Sequence, residues 1–211
     1  MTQGKFITLE GGEGAGKSTL SRRLAAFLQS HNIPVLLTRE PGGTQEAEAI
    51  RALVVEGEKD RFDPITEALL FNAARQHHLK HSILPALQQG TWVICDRFVD
   101  STFVYQGYVQ GIDLAFLEKL HQDVCNNVFP DVTFLLDVPV DIGLYRAHKR
   151  LHNAHEVRFE QKGYTFHESI REAFLKLSKQ YADRYCILDG TLPENAVFDK
   201  AINCLNGFLV S

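Results

Sequence analysis

The stretch Lys5-Phe6-Ile7-Thr8-Leu9-Glu10-Gly11-Gly12-Glu13-Gly14-Ala15-Gly16-Lys17-Ser18-Thr19-Leu20 decides the fold. Gly11 to Ser18 satisfy Gly-x4-Gly-Lys-[Ser/Thr], the spacing of a loop that wraps the phosphates of a nucleotide. An apolar run, Phe6 to Leu9, precedes the loop, and a helical pattern begins at Thr19-Leu20. The order is therefore strand, phosphate loop, helix. Glycines let backbone N–H groups converge on a β-phosphate without Cβ clashes. The helix that follows adds its free N-terminal amides and the positive end of its dipole. Lys17 would reach the β- and γ-phosphates, and the Ser18 hydroxyl would ligate Mg²⁺. Gly11, Gly12, Glu13, Gly14, Ala15, Gly16 and Thr19 complete the expected ATP-phosphate site.

Outward from this loop, four more apolar runs read as strands: Pro34–Thr38, Trp92–Cys95, Val132–Leu136 and Tyr185–Leu188, in addition to Lys5–Leu9. Helical patterns lie between them. Ser18–Ser30 places Leu20, Leu24, Phe27 and Leu28 on one face. Thr44–Val55 is shorter, and Asp63-Pro64 reads as an N-cap with Pro at the first helical position, opening a long helix towards Gln89. Asp113–Asn126, Val140–Arg150, Phe166–Tyr181 and Pro193–Phe208 complete the series. Alternation of this kind predicts one α/β domain over residues 1–211, a three-layer fold with a five-stranded parallel sheet and helices on both faces. Polar residues follow each strand: Glu10, Arg39-Glu40, Asp96-Arg97, Asp137 and Asp189-Gly190. Ligands of open parallel sheets bind outside the carboxyl ends of the strands, so these clusters predict one shared site.

The chain has 211 residues, is 45% hydrophobic and carries 22 Lys and Arg against 26 Asp and Glu, a formal charge of −4. That balance argues against a nucleic-acid partner, so any anion site must be a local cluster of arginines. No apolar run approaches the roughly 18 residues of a membrane span, and the phosphate loop follows the start at once, with no signal sequence before it. A cytoplasmic protein is expected. Cys95, Cys125, Cys186 and Cys204 form no C-x-x-C pair and lie in apolar stretches, so buried, reduced thiols are expected.

The segment Asp96-Arg97-Phe98-Val99-Asp100-Ser101-Thr102-Phe103-Val104-Tyr105-Gln106-Gly107 resembles the Asp-Arg-x4-Ser-x3-Tyr-Gln-Gly stretch of thymidylate kinases. Arg39-Glu40-Pro41-Gly42-Gly43-Thr44 and Phe71-Asn72-Ala73-Ala74-Arg75 resemble two further motifs of that family, and with the phosphate loop the order and spacing match. The resemblance, to the bacterial-type dTMP kinases, covers essentially the whole chain. It implies an enzyme that moves the γ-phosphoryl group of ATP to dTMP with Mg²⁺, working as a homodimer packed through helices. The apolar faces of Asp63–Gln89 and Asp113–Asn126 are the candidate contacts. A kinase for another nucleoside monophosphate and a nucleotide-dependent switch protein are the competing readings; the guanine motif Asn-Lys-x-Asp of many switches is absent from the sequence.

Phe71 and Arg75, four residues apart, share a helix face. On the pattern alone Phe71 reads as a core aromatic and Arg75 as a solvated arginine. The resemblance implies instead that Phe71 stacks on thymine and Arg75 donates to its O4. It further implies that Arg97, with Arg39 and Arg51, holds the acceptor phosphate, and that Asp96 lies near Mg²⁺, partly through water. Ser101 and Thr102 would approach the base at N3, while Tyr105 and Gln106 would wall off a ribose 2′-OH. Glu10 is assigned to positioning near the acceptor sugar and the metal, because an acceptor phosphate with a second pKa of about 6 needs no general base.

Residues 146–160 are the most basic stretch. The variable positions of the phosphate loop hold no arginine or lysine, so a closing lid must bring the cations that phosphoryl transfer requires. This matches a subgroup whose lid carries the catalytic arginines. It makes Arg150 and Arg158 the expected catalytic pair, with Arg146 supporting the adenine or phosphate side. Adenine is usually held by backbone and lid packing, and the Asp189-Gly190-Thr191 turn is its expected neighbour. The same charges also suit a solvated helix end.

Overall fold

In the computed structural model, which describes residues 3–56, 61–150 and 163–209, β1 (Phe6–Glu10) is buried along its whole length. A strand without a polar face belongs at the centre of a parallel sheet covered on both sides. Its neighbours are β3 (Trp92–Asp96) and β4 (Val132–Asp137), with β2 (Val35–Arg39) outside β3 and β5 (Tyr185–Asp189) outside β4. All pairings are parallel. Each strand runs one residue beyond its sequence-predicted end, because the ladder continues: Arg39 pairs with Asp96, and Asp137 with Asp189. The polar residues expected to follow the strands thus terminate them in register, along one rim.

Alternation along the strands feeds two cores. Ile7, Leu9, Ile94 and Phe134 meet Leu20, Leu24 and Leu28 of α1 (Lys17–Ser30) and Ala201 and Leu205 of α9 (Glu194–Leu209). On the other face, Phe6, Val93, Cys95 and Leu135 meet Phe98, Phe103, Leu117, Phe174 and Leu177. That layer includes α3 (Pro64–His78), α6 (Leu114–Cys125) and α8 (Tyr164–Gln180), while α2 (Gln45–Val55) packs on α3. Asp63 caps α3 as expected, accepting from Thr66 N at 3.0 Å.

The expected long helix to Gln89 is divided. A π-helical turn, Leu79–Ile83, separates α3 from α4 (Leu84–Gln88). Pro85 cannot donate to the carbonyl four residues back, and a widened turn just before it absorbs the mismatch. A second helical run was not foreseen: α5 (Val99–Thr102) leads directly into a π-helical segment, Phe103–Val109. The remaining helix, α7 (Val140–Arg150), follows β4. The side chain of Arg150, and Arg158 with residues 151–160, lie outside the described residues.

One expectation about the cysteines is overturned. Cys95 and Cys125 are free and buried, but Cys186 and Cys204 form a disulfide with a Cα–Cα distance of 6.7 Å. The bond joins edge strand β5 to α9, which packs against it. Partners 18 residues apart, on elements that meet only in the fold, leave no local spacing signal. Among the described residues no helix is long and apolar enough to cross a membrane.

Candidate active site

The phosphate loop follows β1, the strand at which the chain order of the sheet reverses, where a crevice opens between neighbouring loops. Gly14 has φ +69°, and a Cβ there would run into the carbonyl oxygen of Gly143 on α7. Only glycine lets loop and helix approach this closely. Gly16, at φ +102°, caps α1 without a side-chain hydrogen bond, leaving the first amides of the helix for an anion. The Lys17 ammonium lies across the loop, donating to Gly11 O at 3.0 Å and Gly12 O at 2.9 Å. Burial, and then the like charge of Arg97, lower its pKa.

The Ser18 hydroxyl donates to Asp96 Oδ2 at 2.9 Å, so the end of β3 meets the start of α1. A hydroxyl and a carboxylate are hard oxygen donors of the kind that hold Mg²⁺ together with phosphate oxygens and water. Among the described residues no cluster of three or more His, Cys, Asp or Glu offers an all-protein metal cage.

Arg97 leaves β3 with φ +69°, a conformation that costs a residue with a Cβ about 1–2 kcal/mol. Its side chain is tied down on several sides. Nη2 donates to Glu13 at 2.8 Å, Nη1 donates to Ser101 Oγ at 3.2 Å, and the guanidinium lies 5.4 Å from the centre of the Tyr105 ring. Burial alone would raise the Glu13 pKa, yet Arg97 and Lys17 hold it below the usual carboxylate value. Glu13, expected only as part of the ATP-phosphate loop, thus joins the loop to the arginine.

Glu10 is fully buried and is not among the residues that line the cavity of the site. It accepts from Phe98 N at 2.8 Å, Ser101 N at 3.3 Å and Ser101 Oγ at 2.7 Å, and so holds the turn that carries Arg97. Burial, and then the Asp100 carboxylate, push its pKa up to about 7. Asp100 is itself held by Arg184, which also donates to Thr133 Oγ1.

Arg75 is not the solvated residue its helix position suggests; it is 3% exposed. Nε donates to Glu40 at 2.7 Å, Nη2 to Phe98 O and Thr102 Oγ1, and Nη1 to Asn72 at 3.4 Å. Four of the five donors of a guanidinium are thereby used, and the last N–H is on Nη1. Glu40 also meets His78 Nδ1 at 3.2 Å, and the Glu40–Pro41 peptide bond is cis. Nothing local in the sequence marks Glu40 for this role. Its only signal was membership of the Arg39-Glu40-Pro41 motif, because its partners come from a helix more than 30 residues away.

A cavity of about 320 Å³ joins these groups. Lys17 and Ser18 line it together with Arg39, Arg51, Phe71, Arg75, Asp96, Arg97, Ser101, Thr102, Tyr105 and Gln106. Arg39 is exposed and pairs with Glu48, whereas Arg51 donates to Pro41 O at 2.7 Å. Ser101 is turned towards Glu10 and Arg97, and Thr102 towards Arg75. Gly11, Gly12 and Thr19 lie off this cavity. Arg146 donates to Gly190 O at 2.8 Å, so it meets the turn after β5 that was separately expected near the adenine.

Proteins of known family share both sequence and shape with this chain. The family model for thymidylate kinase matches residues 9–201. A thymidylate kinase of Magnetococcus marinus is 47% identical over 195 residues, covering 92% of either chain. One from Caulobacter vibrioides is 45% identical over 197 residues, covering 93% of each. The crystal structure of thymidylate kinase from Ehrlichia chaffeensis superposes with a TM-score of 0.77 at 34% identity, covering 97% of this chain and 99% of that one. With the phosphate loop, the Asp96-Arg97 strand end and the Phe71–Arg75 helix opening on one cavity, this chain belongs to the thymidylate kinase family.

Proposed function

We propose that the whole chain works as one kinase domain that transfers the γ-phosphoryl group of ATP to dTMP, giving ADP and dTDP. Family membership carries the activity. The observation that carries the roles is the shared cavity, in which phosphate-loop residues and an aromatic–arginine pair face the same space. Its volume falls within the range of pre-formed small-molecule sites.

In this reading ATP lies with its phosphates along Gly11–Thr19 and its adenine towards Arg146 and Gly190. The dTMP base lies against Phe71, with its O4 at the Nη1 proton of Arg75 that has no acceptor among the described residues. Arg97 grips the dTMP phosphate, aided by Arg39 and Arg51. An oxygen of that phosphate attacks the γ-phosphorus, the bond to the β–γ bridging oxygen breaks, and ADP departs with the electron pair. The nucleophile is already an anion, so no side chain need remove a proton. Lys17 counters charge on the β- and γ-phosphates and Arg97 orients the acceptor, so catalysis comes from positioning and charge. Ser18 and Asp96 would hold Mg²⁺, which supplies further positive charge to the phosphates. Glu10 acts indirectly, through the turn bearing Arg97. Arg150 and Arg158 are the lid cations of this proposal.

Ile65 and Leu69 stand four apart on α3 and are 53% and 47% exposed, and Phe116 on the neighbouring α6 is 43% exposed. These side chains are the proposed homodimer contact.

The test is ADP formation from ATP with each of dTMP, dUMP, dCMP, UMP and AMP, and with no acceptor. Turnover that requires an acceptor and is fastest with dTMP is expected. Preference for AMP or UMP would reject the thymine pocket, and acceptor-independent turnover would favour a switch protein.

A further inference from the structure

Gln106 lines the cavity, yet its amide is directed from behind by a residue outside it. Gln106 Nε2 donates to Glu67 Oε2 at 3.3 Å, and Gln110 Nε2 donates to the same oxygen at 3.0 Å. Glu67 and Gln106 are each 1% exposed. A carboxylate only accepts, so it can receive the NH₂ end of an amide and not the carbonyl end. Gln110 shows how strictly this is imposed: its Oε1 is left buried with no hydrogen-bond partner among the described residues. Gln106 is turned the same way. Its carbonyl Oε1 points away from Glu67, and no donor reaches it among the described residues.

Glu67, Phe71 and Arg75 follow one another at four-residue intervals on α3, one above the next on one helix face. An acid in the first turn of a helix ordinarily serves the dipole from the surface. Glu67 is buried and bonded to amides of another element, which the dipole does not require. Arg75 meanwhile offers a remaining N–H. The cavity therefore presents a fixed donor from Arg75 and a fixed acceptor from Gln106. A pyrimidine with C=O at position 4 and N–H at position 3 satisfies both. One with NH₂ at position 4 and a bare N3 opposes donor to donor and acceptor to acceptor.

We propose that Glu67 is a specificity-determining positioning residue: by fixing the polarity of the Gln106 amide it makes the cavity accept an imide-edged pyrimidine and reject an amino-pyrimidine. The inference rests on the assignment of dTMP to this cavity. The sequence placed Gln106 beside the sugar and both Ser101 and Thr102 at N3; Ser101 is engaged by Glu10 and Arg97, and Thr102 Oγ1 accepts from Arg75, which leaves the Gln106 carbonyl as the acceptor for the base edge.

The test compares kcat/KM for dTMP and 5-methyl-dCMP, which share methyl group and sugar and differ only at positions 3 and 4. The wild-type protein should prefer dTMP by about 100-fold or more, as expected of a site built to hydrogen-bond its substrate. Glu67→Gln offers Gln106 either a donor or an acceptor, so the preference should fall by about tenfold, mainly through KM. Glu67→Asp keeps an acceptor-only group and should restore most of it. In a Gln106→Leu background Glu67→Gln should leave the ratio unchanged, which separates action through Gln106 from a structural role. Thermal melting reports folding, and Glu67→Met takes the place of Glu67→Gln if the latter does not fold. A folded Glu67→Gln or Glu67→Met variant with an unaltered ratio overturns the proposal, as does an equal effect with and without Gln106. Failure of the wild-type protein to phosphorylate dTMP would refute the site assignment itself; normal dTMP turnover with an unmoved ratio would refute only the role of Glu67.

Discussion

Arg97 and Glu10 show how much chemistry rests on single side chains whose burial has to be offset. Arg97 sits in left-handed backbone geometry, and the hydrogen bonds to Glu13 and Ser101 help offset that cost. Glu10 pins the same turn but stays out of the cavity, and its pKa is raised from 4.5 to about 7. The folded chain therefore keeps a proton on Glu10 that the unfolded chain releases near 4.5. Stability from this group is full below 4.5 and is lost as pH rises through about 7. Melting temperatures of wild type and Glu10→Gln, measured across this window, should show the wild type losing ground steadily to the variant as pH rises. A difference that does not vary with pH would mean that Glu10 is not held protonated by the fold. The motif made Glu10 and Arg97 visible in the sequence. That one holds the turn bearing the other was not, because the contact spans more than 80 residues.

Between elements, the tightest joint near the site is the contact of α7 with the phosphate loop. A Cβ on Gly143 would lie 2.6 Å from Glu13 O, and the reciprocal Cβ on Gly14 would strike Gly143 O. Gly143→Ala should gain about 0.5–1 kcal/mol of helix propensity, but overpacking against backbone costs about 1–3 kcal/mol, so net destabilisation is expected. The loop must shift by a fraction of an ångström, and kcat/KM for ATP should fall by about tenfold or more with the fold kept. Melting temperature and steady-state kinetics check both parts; unchanged kinetics in a destabilised variant would separate this joint from phosphate placement. Gly143 drew no attention in the sequence, since a glycine inside a helix pattern carries no sign of what it touches. The divided helix is a different case: Pro85 was in plain view, but how the chain would absorb it depended on the packing around Leu79 and Ile83, both buried.

For the molecule as a whole, the exposed apolar side chains on α3 and α6 lead to a simple expectation. Light scattering of the wild-type protein should give twice the mass of one chain, and Ile65→Glu with Leu69→Glu should halve it. A monomeric wild type would remove the proposed contact. The sequence by itself determined the parallel α/β architecture, the order of strands and helices along the chain, and the phosphate loop; the motifs of the resemblance supplied most of the other cavity residues, but gave no place in it to Glu40, Pro41, Val55 or Phe98. These features are written in local periodicity and in motifs whose spacing is short. Only the tertiary structure decided which partner each charged side chain takes. It moved Glu10 behind the site, committed Ser101 to the arginine side, buried Arg75 against Glu40, set Glu67 behind Gln106 and joined Cys186 to Cys204. The reason is physical: a strand or helix forms from the pattern of its own neighbours, whereas a buried charge must be satisfied by whatever group the packing brings within 3 Å or so, and that group is usually far away along the chain.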